Sequence, residues 1–440
     1  MIDSERLKSV DILKLISKTK DLTAIHSSLD ETSLQMTRTN SSNYRWFILA
    51  LGMVTYGAIA GAERMCMPVL FKEISADLGL SMVAIGTIWG MDPLAGVFVG
   101  LPGGLLADRF GVKRTLVVIC LLAGVFGALR GLSDTFAGMA ATMFLFGLVA
   151  AMVPSIVPKV AAVWFSGRYL GLTSALLNVA WSFGSMTGTM FSATVFSPLL
   201  GGWRNVLFLY GAPAVIVGLL WLATGREPDK SELLATSVNE VPFCQALSRV
   251  IRIKEVWIIG LITLTQFGSS VGFMGYVPLY LRGIGWTSTS ADGAITLLSG
   301  VGCAGVIPMV FLSDRFGTRK GVLVFSIIIM SISLGLLSIV DGSAVWMLLI
   351  IIGFLRSGLV ALFNILIFEM RSVGSTYGGS AIGLTNTIGM FGAFFAPPLG
   401  NSLADINLGL PFVFWACLSA LALPGLFFIR ERGEMNGEAK

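Results

Sequence analysis

Long apolar segments separated by short polar turns organise this chain from residue 45 onward. Crossing about 30 Å of hydrocarbon takes roughly 20 helical residues at about 1.5 Å each. Segments of that length recur near 46–70, 83–107, 114–132, 136–165, 170–196, 204–224, 255–281, 291–312, 320–340, 344–368, 376–400 and 408–430, twelve in all. The pattern predicts an all-α membrane protein, because the strands of a closed barrel need only about ten alternating residues each. A polar stretch divides the spans six and six. The expected organisation is a cytoplasmic tail at 1–44, a six-helix bundle at 45–224, a cytoplasmic central loop at 225–254, a second bundle at 255–430 and a cytoplasmic tail at 431–440. The first tail lacks the unbroken apolar stretch of a signal peptide. In it Ile2, Leu7, Val10, Leu13 and Ile16 suit an interfacial helical stripe, with partial disorder the alternative.

Charge adds an orientation. Only 12% of residues are charged while 55% are hydrophobic, and the net charge is +5. Of the 30 Lys and Arg, Lys72, Arg130, Arg204 and Arg282 are expected on the loops opposite the termini, and Arg64, Lys159 and Arg356 within the spans. The remainder lie on the side of the termini, the asymmetry of cytoplasmic loops. Topology therefore accounts for the positive charge without nucleic acid as a partner. The expected location is the cell membrane, plasma or inner, with both termini cytoplasmic and the lipid bilayer as the solvent. The five Cys are scattered without ligand spacing, so neither a metal site nor a disulfide framework is expected.

The turn after the second span reads GGLLADRFGVKR from Gly103 to Arg114, and 206 positions on, from Asp108 to Asp314, the chain repeats itself as SDRFGTRK between Ser313 and Lys320. Gly104, Leu106, Ala107, Asp108, Arg109, Gly111, Lys113 and Arg114 resemble the signature of the major facilitator superfamily. The second copy keeps Asp314, Arg315, Gly317, Arg319 and Lys320, with Val310 where the first glycine would stand. This resemblance implies two pseudo-symmetric six-helix bundles and transport by alternating access. It also implies a conformational gate at Gly104, Asp108, Arg109, Gly111, Arg114, Asp314, Arg315 and Gly317. A plain topology anchor, for which Lys113 and Arg114 would suffice, is the alternative.

A looser resemblance, to anion uptake permeases of the cyanate and nitrate or anion-cation symporter type, rests on Pro158-Lys159-Val160, Trp164-Phe165, Gly171 and the run from Ser197 to Gly211. An ionised group in hydrocarbon costs about 2.5 to 3.5 kcal/mol on insertion scales, so charges kept in spans face polar surroundings. Arg64, Lys159 and Arg356 fall on the first, fourth and tenth spans, which line the central cavity in the family. Arginine's fork matches a carboxylate or oxyanion with two parallel hydrogen bonds. The expected cargo is thus a small organic or inorganic anion bound by Arg356, then Arg64, then Lys159, with Gln266, Tyr276, Asn364 and Asn386 as uncharged contacts. Pairing of Arg64 with Asp92 for stability alone is the competing reading. Glu63 or Asp92 is the expected proton carrier, since the one histidine, His26, lies in the tail.

No nucleotide-binding loop, zinc pair or Ser-His pair within the spans is present, so an ion gradient is the expected energy source and no enzyme activity or cofactor is expected. A proton antiporter exporting a drug or metabolite, and a membrane sensor or receptor, are the alternatives.

Overall fold

The computed structural model describes residues 44–100, 102–165, 169–225, 243–370 and 372–429. The tail stripe, most of the central polar stretch and the second tail lie outside these residues. Contacts divide the chain into Met1–Ala50 and Leu51–Lys440, and the helix packing of the two halves lies within the second unit.

Twelve long helices follow in the expected order: α1 Tyr44–Leu78, α2 Met82–Val99 with its extension Pro102–Phe110, α3 Val112–Leu129, α4 Phe136–Ala150 continued by Val153–Trp164, α5 Tyr169–Phe191 and α6 Trp203–Thr224 in the first half. The second half holds α7 Lys254–Gly283, α8 Ser288–Phe316, α9 Arg319–Leu336, α10 Ser343–Glu369, α11 Gly374–Asn401 and α12 Leu410–Phe427. Among the described residues there is no strand, and one short helix, Phe243–Val250, forms within the stretch expected to be loop. Ten of the twelve are long and apolar enough to cross a membrane. The other two, α5 and α11, are long and uncharged but carry many hydroxyls and amides, among them Thr173, Asn178, Ser185 and Thr189 on one and Thr385, Asn386 and Thr387 on the other.

The duplication is visible in the turns. Gly79 and Gly285 both take positive φ (62° and 95°), as do Gly111 and Gly317 (89° and 66°). Ser81 and Thr287 cap α2 and α8 by accepting from Ala84 N and Ser290 N. All three pairs stand 206 residues apart, the offset of the charged motif. Glycine is required where the backbone enters the left-handed region, which a Cβ disfavours. Packing repeats likewise: α1 lies against α5, α2 against α4 and α3 against α6, and in the second half α7 against α11, α8 against α10 and α9 against α12.

Between the halves, α2 packs on α11 and α5 on α8, with α1 touching α7. The two less apolar helices are therefore both interface helices. Ser185 donates to Ser299 Oγ at 3.3 Å, and the Thr189 and Thr296 hydroxyls share a hydrogen bond of 2.8 Å. Trp89 Nε1 donates to the Val271 carbonyl at 2.8 Å, and Asn401 Nδ2 to the Met82 carbonyl at 3.0 Å. These contacts lie toward the ends where α1 turns into α2 and α7 into α8. That end is called here the Gly79 face, and the end carrying the repeated motif the Gly111 face.

Candidate functional site

Midway along α1 the backbone winds as a π-helix from Tyr56 to Glu63, a rare geometry that is frequent at functional sites. Arg64 follows at once. Its Nε lies 2.5 Å from Asp92 Oδ2 on α2, with the aspartate wholly enclosed and the Arg64 side chain 25% exposed. Arg64 is thus paired, while retaining an open edge.

Glu63 faces α3, where it lies beside Gly127 and Arg130. Arg130 was expected on a loop; it is fully buried at the end of α3. Its Nε donates to the Gly127 carbonyl (3.1 Å), its Nη2 donates to the Glu63 carbonyl (3.2 Å), and the guanidinium lies 4.1 Å from the centroid of the Phe146 ring. The same Nη2 stands 3.7 Å from Glu63 Oε1. Gly127 makes room for this carboxylate, because a Cβ there would come within 1.6 Å of Oε1. Neither carboxylate oxygen accepts a hydrogen bond from a described residue. Two buried charges that near one another hold a pair whose disruption would strand the survivor in a low dielectric.

Arg282 is a second correction. Expected on a loop, it is 7% exposed and forms an ion pair with the wholly buried Asp292 of α8. Both misplacements have one cause: each arginine ends an apolar segment, where one helical turn more or less decides between water and interior. The signal available was the buried acid that each one neutralises.

Arg356 differs from all of these. It stands thirteen residues from either end of α10. Its Nε is buried without a hydrogen-bond partner, and no carboxylate of the described residues lies within ion-pair distance. It borders a hollow of about 20 Å³ lined by Thr263, Gln266 and Ser270 of α7, Met330 of α9, and Leu359 and Phe363 of α10. That volume suits about one water molecule. Gln266 shares this hollow, although its Nε2 is engaged with the Ser419 carbonyl (2.9 Å) and hydroxyl (3.1 Å) of α12.

The other expected contacts are scattered. The Tyr276 hydroxyl donates to the Leu408 carbonyl at 2.9 Å, and its ring packs edge-on against Phe412 and Trp415, which places it in α7–α12 packing. Asn364 and Asn386 are half-buried on α10 and α11, and Lys159 is half-buried in the second segment of α4. Asn364 lies eight residues beyond Arg356, roughly 12 Å nearer the Gly111 face.

At the Gly111 face the second copy of the motif forms a network inside its own half. Arg319 reaches Asp314 Oδ1 at 2.5 Å and Glu369 Oε1 at 3.3 Å, joining α8, α9 and α10, and donates to Ser313 Oγ at 3.0 Å. Arg315 is exposed. In the first copy, Gly104 lies within the Pro102–Phe110 helix, Arg109 stacks near the Phe110 ring (5.6 Å), Gly111 makes the turn and Arg114 is exposed; the Asp108 side chain lies outside the described set.

Known proteins share this fold. The crystal structure of a bacterial homologue of the human lysosomal transporter Spinster, in an inward-facing and occupied conformation, superposes with a TM-score of 0.71 over 87% of this chain and 96% of that one, at 14% identity. A nucleoside transporter superposes at 0.69 over 87% and 99%, at 12% identity. In sequence, the chain is 32% identical over 202 residues to the "Probable galactarate/D-glucarate transporter GudP" of Bacillus subtilis, a match spanning 43% of this chain and 42% of that protein. It is 26% identical to the "Probable nitrate/nitrite antiporter NarK1" of Thermus thermophilus over 80% of this chain and 84% of the relative. To the "Cis,cis-muconate transport protein" of Acinetobacter baylyi it is 25% identical over 90% and 97%. The family model of the Major Facilitator Superfamily matches residues 52–397 and 284–440. With twelve helices in two repeated halves, a duplicated charged turn and this match across the chain, the protein belongs to the major facilitator superfamily of membrane transporters and is not an enzyme.

Proposed function

We propose that this transporter moves a small organic or inorganic anion and that Arg356 is its principal ligand. One observation carries the reading: a guanidinium halfway along α10 has neither a carboxylate nor a hydrogen-bonded partner among the described residues. The side chain is half-buried with its Nε enclosed; a charge without a counter-ion within a span is costly, and an anionic cargo lowers that cost when it binds. Relatives named for galactarate and glucarate, nitrate and nitrite, and muconate agree in sign of charge, although the first of these matches spans less than half of either protein. Arg64, whose open edge remains after pairing with Asp92, is the second ligand. Lys159, Gln266, Asn364 and Asn386 complete the polar lining once the halves rearrange.

Proton coupling follows on the same reading. Glu63 and Asp92 each face a guanidinium, so a proton on either would loosen an ion pair on which helix positions depend. Under the positive-inside topology the Gly111 face is cytoplasmic and the present state is shut toward the outside. In the opposite state the motif residues Asp108 and Arg109 would hold the cytoplasmic side closed. Reconstituted protein should take up labelled galactarate, cis,cis-muconate or nitrate under an inward proton gradient, and Arg356→Ala should abolish it. Uptake that survives this substitution would remove the assignment.

The engagement of both acids also favours a second reading, exchange of one anion for another without a proton. Uptake indifferent to a protonophore but dependent on preloaded anion would select it.

A further inference from the structure

Among the described residues, hydroxyl, indole and amide contacts close the Gly79 face, and one charged side chain joins them. Arg282, in the last turn of α7, donates from Nη1 to the Val69 carbonyl of α1 at 2.5 Å, across the boundary between the halves. Its other arm, Nη2, bonds Asp292 Oδ1 at the start of α8, within its own half. Arg282 and Asp292 are almost completely enclosed.

We infer that Arg282 is the clasp that keeps the Gly79 face shut, and that Asp292 is the positioning residue that aims it. The two arms do different work. Asp292 fixes the plane and direction of the guanidinium, so the second arm meets Val69 without further ordering. When the halves part at this face, the carbonyl bond breaks, yet the charge leaves with its counter-ion and is never stranded. A carbonyl acceptor suits a contact that must be made and released in every cycle. The nearby carboxylate of α1, Glu73, accepts from Ser197 Oγ within its own half and forms no ion pair with Arg282, so the bond that must break on opening is the one to the Val69 carbonyl. The inference concerns the moving parts alone and holds whatever the cargo.

The test is the distance across the face. In full-length protein with its native cysteines replaced by serine, spin labels at Lys72→Cys of α1 and Thr289→Cys of α8, both exposed, report the separation of the halves. The unaltered clasp should give one short distance. Arg282→Ala should raise the ratio of a longer, open population to the short one by about tenfold, the size expected on losing a hydrogen bond from a charged donor. Asp292→Asn should shift it the same way by a smaller factor, and it keeps the inference testable if Arg282→Ala fails to fold, as does Arg282→Gln. Arg204→Ala removes a charge at the same face whose partners, Asp77 and Asp134, belong to its own half, and it should leave the distances unchanged. Unaltered distances in folded Arg282 and Asp292 variants would overturn the inference. So would a lengthening in Arg204→Ala as large as that in Arg282→Ala.

Discussion

The two halves of this transporter share a scaffold and differ in their charges. Positive-φ glycines, helix caps and the charged turn recur at a constant offset of 206 residues, and neighbouring helices pair in the same way. The same offset from Arg64 reaches Ser270, and from Arg356 it leads back to Ala150. Each half holds buried pairs, Arg64 with Asp92 and Glu63 with Arg130 in the first and Arg282 with Asp292 in the second. Only the second half adds, at mid-span, an arginine with no counter-ion among the described residues, Arg356 beside Ser270 and Gln266. Duplication thus preserved what turns and packing demand, while the interior charges diverged. Paired charges suit holding and switching, and an unpaired one suits a visitor of opposite sign.

The largest effect expected from breaking this contrast is on transport. Arg356→Ala should lower uptake of the anion by at least about 30-fold, as removal of a charge-assisted ligand costs roughly 2 kcal/mol or more, while Arg356→Lys retains part of it. Initial uptake rates in proteoliposomes decide this; equal losses in affinity for a neutral solute would mean a structural role. Next in size is the first half's buried pair. Arg130→Ala should destabilise the fold by about 3 to 5 kcal/mol by stranding Glu63, and Glu63→Gln by less, read as thermal unfolding in detergent. Gly127→Ala should cost about 1 to 3 kcal/mol, because the new methyl group collides with that carboxylate. At Gly171 nothing lies within 4 Å of an added Cβ, so Gly171→Ala in the same assay should be neutral or slightly stabilising. The smallest loss of stability belongs to the network at the Gly111 face. Arg319 meets the half-exposed Asp314 and Glu369, and Arg319→Ala should change stability by about 1 kcal/mol or less.

The helices were legible because lipid imposes a minimum length and an apolar surface on each span, and the duplicated turn declared the symmetry. Partners were less legible. Arg130 and Arg282 read as loop residues, since sequence cannot say on which side of a helix end a long side chain folds back. Tyr276 read as a cavity residue and instead spends its hydroxyl on the Leu408 carbonyl, a contact 132 residues distant along the chain. That choice is made by tertiary packing. The position of Arg356 at the middle of α10 was countable from the ends of its apolar segment; its lack of a counter-ion was not.

The modest hydropathy of α5 and α11 bears on how the protein is made as well as on how it moves. A span rich in hydroxyls and amides gains little by entering lipid alone, and gains more once neighbours supply hydrogen-bonding surface. The fifth helix of each bundle therefore depends for stable insertion on α1 or α7, made before it and already present to receive it. Point changes that add one more polar group to α5 or α11 should fail first in the translocon, as poorly inserted chains, before any defect in transport could be seen.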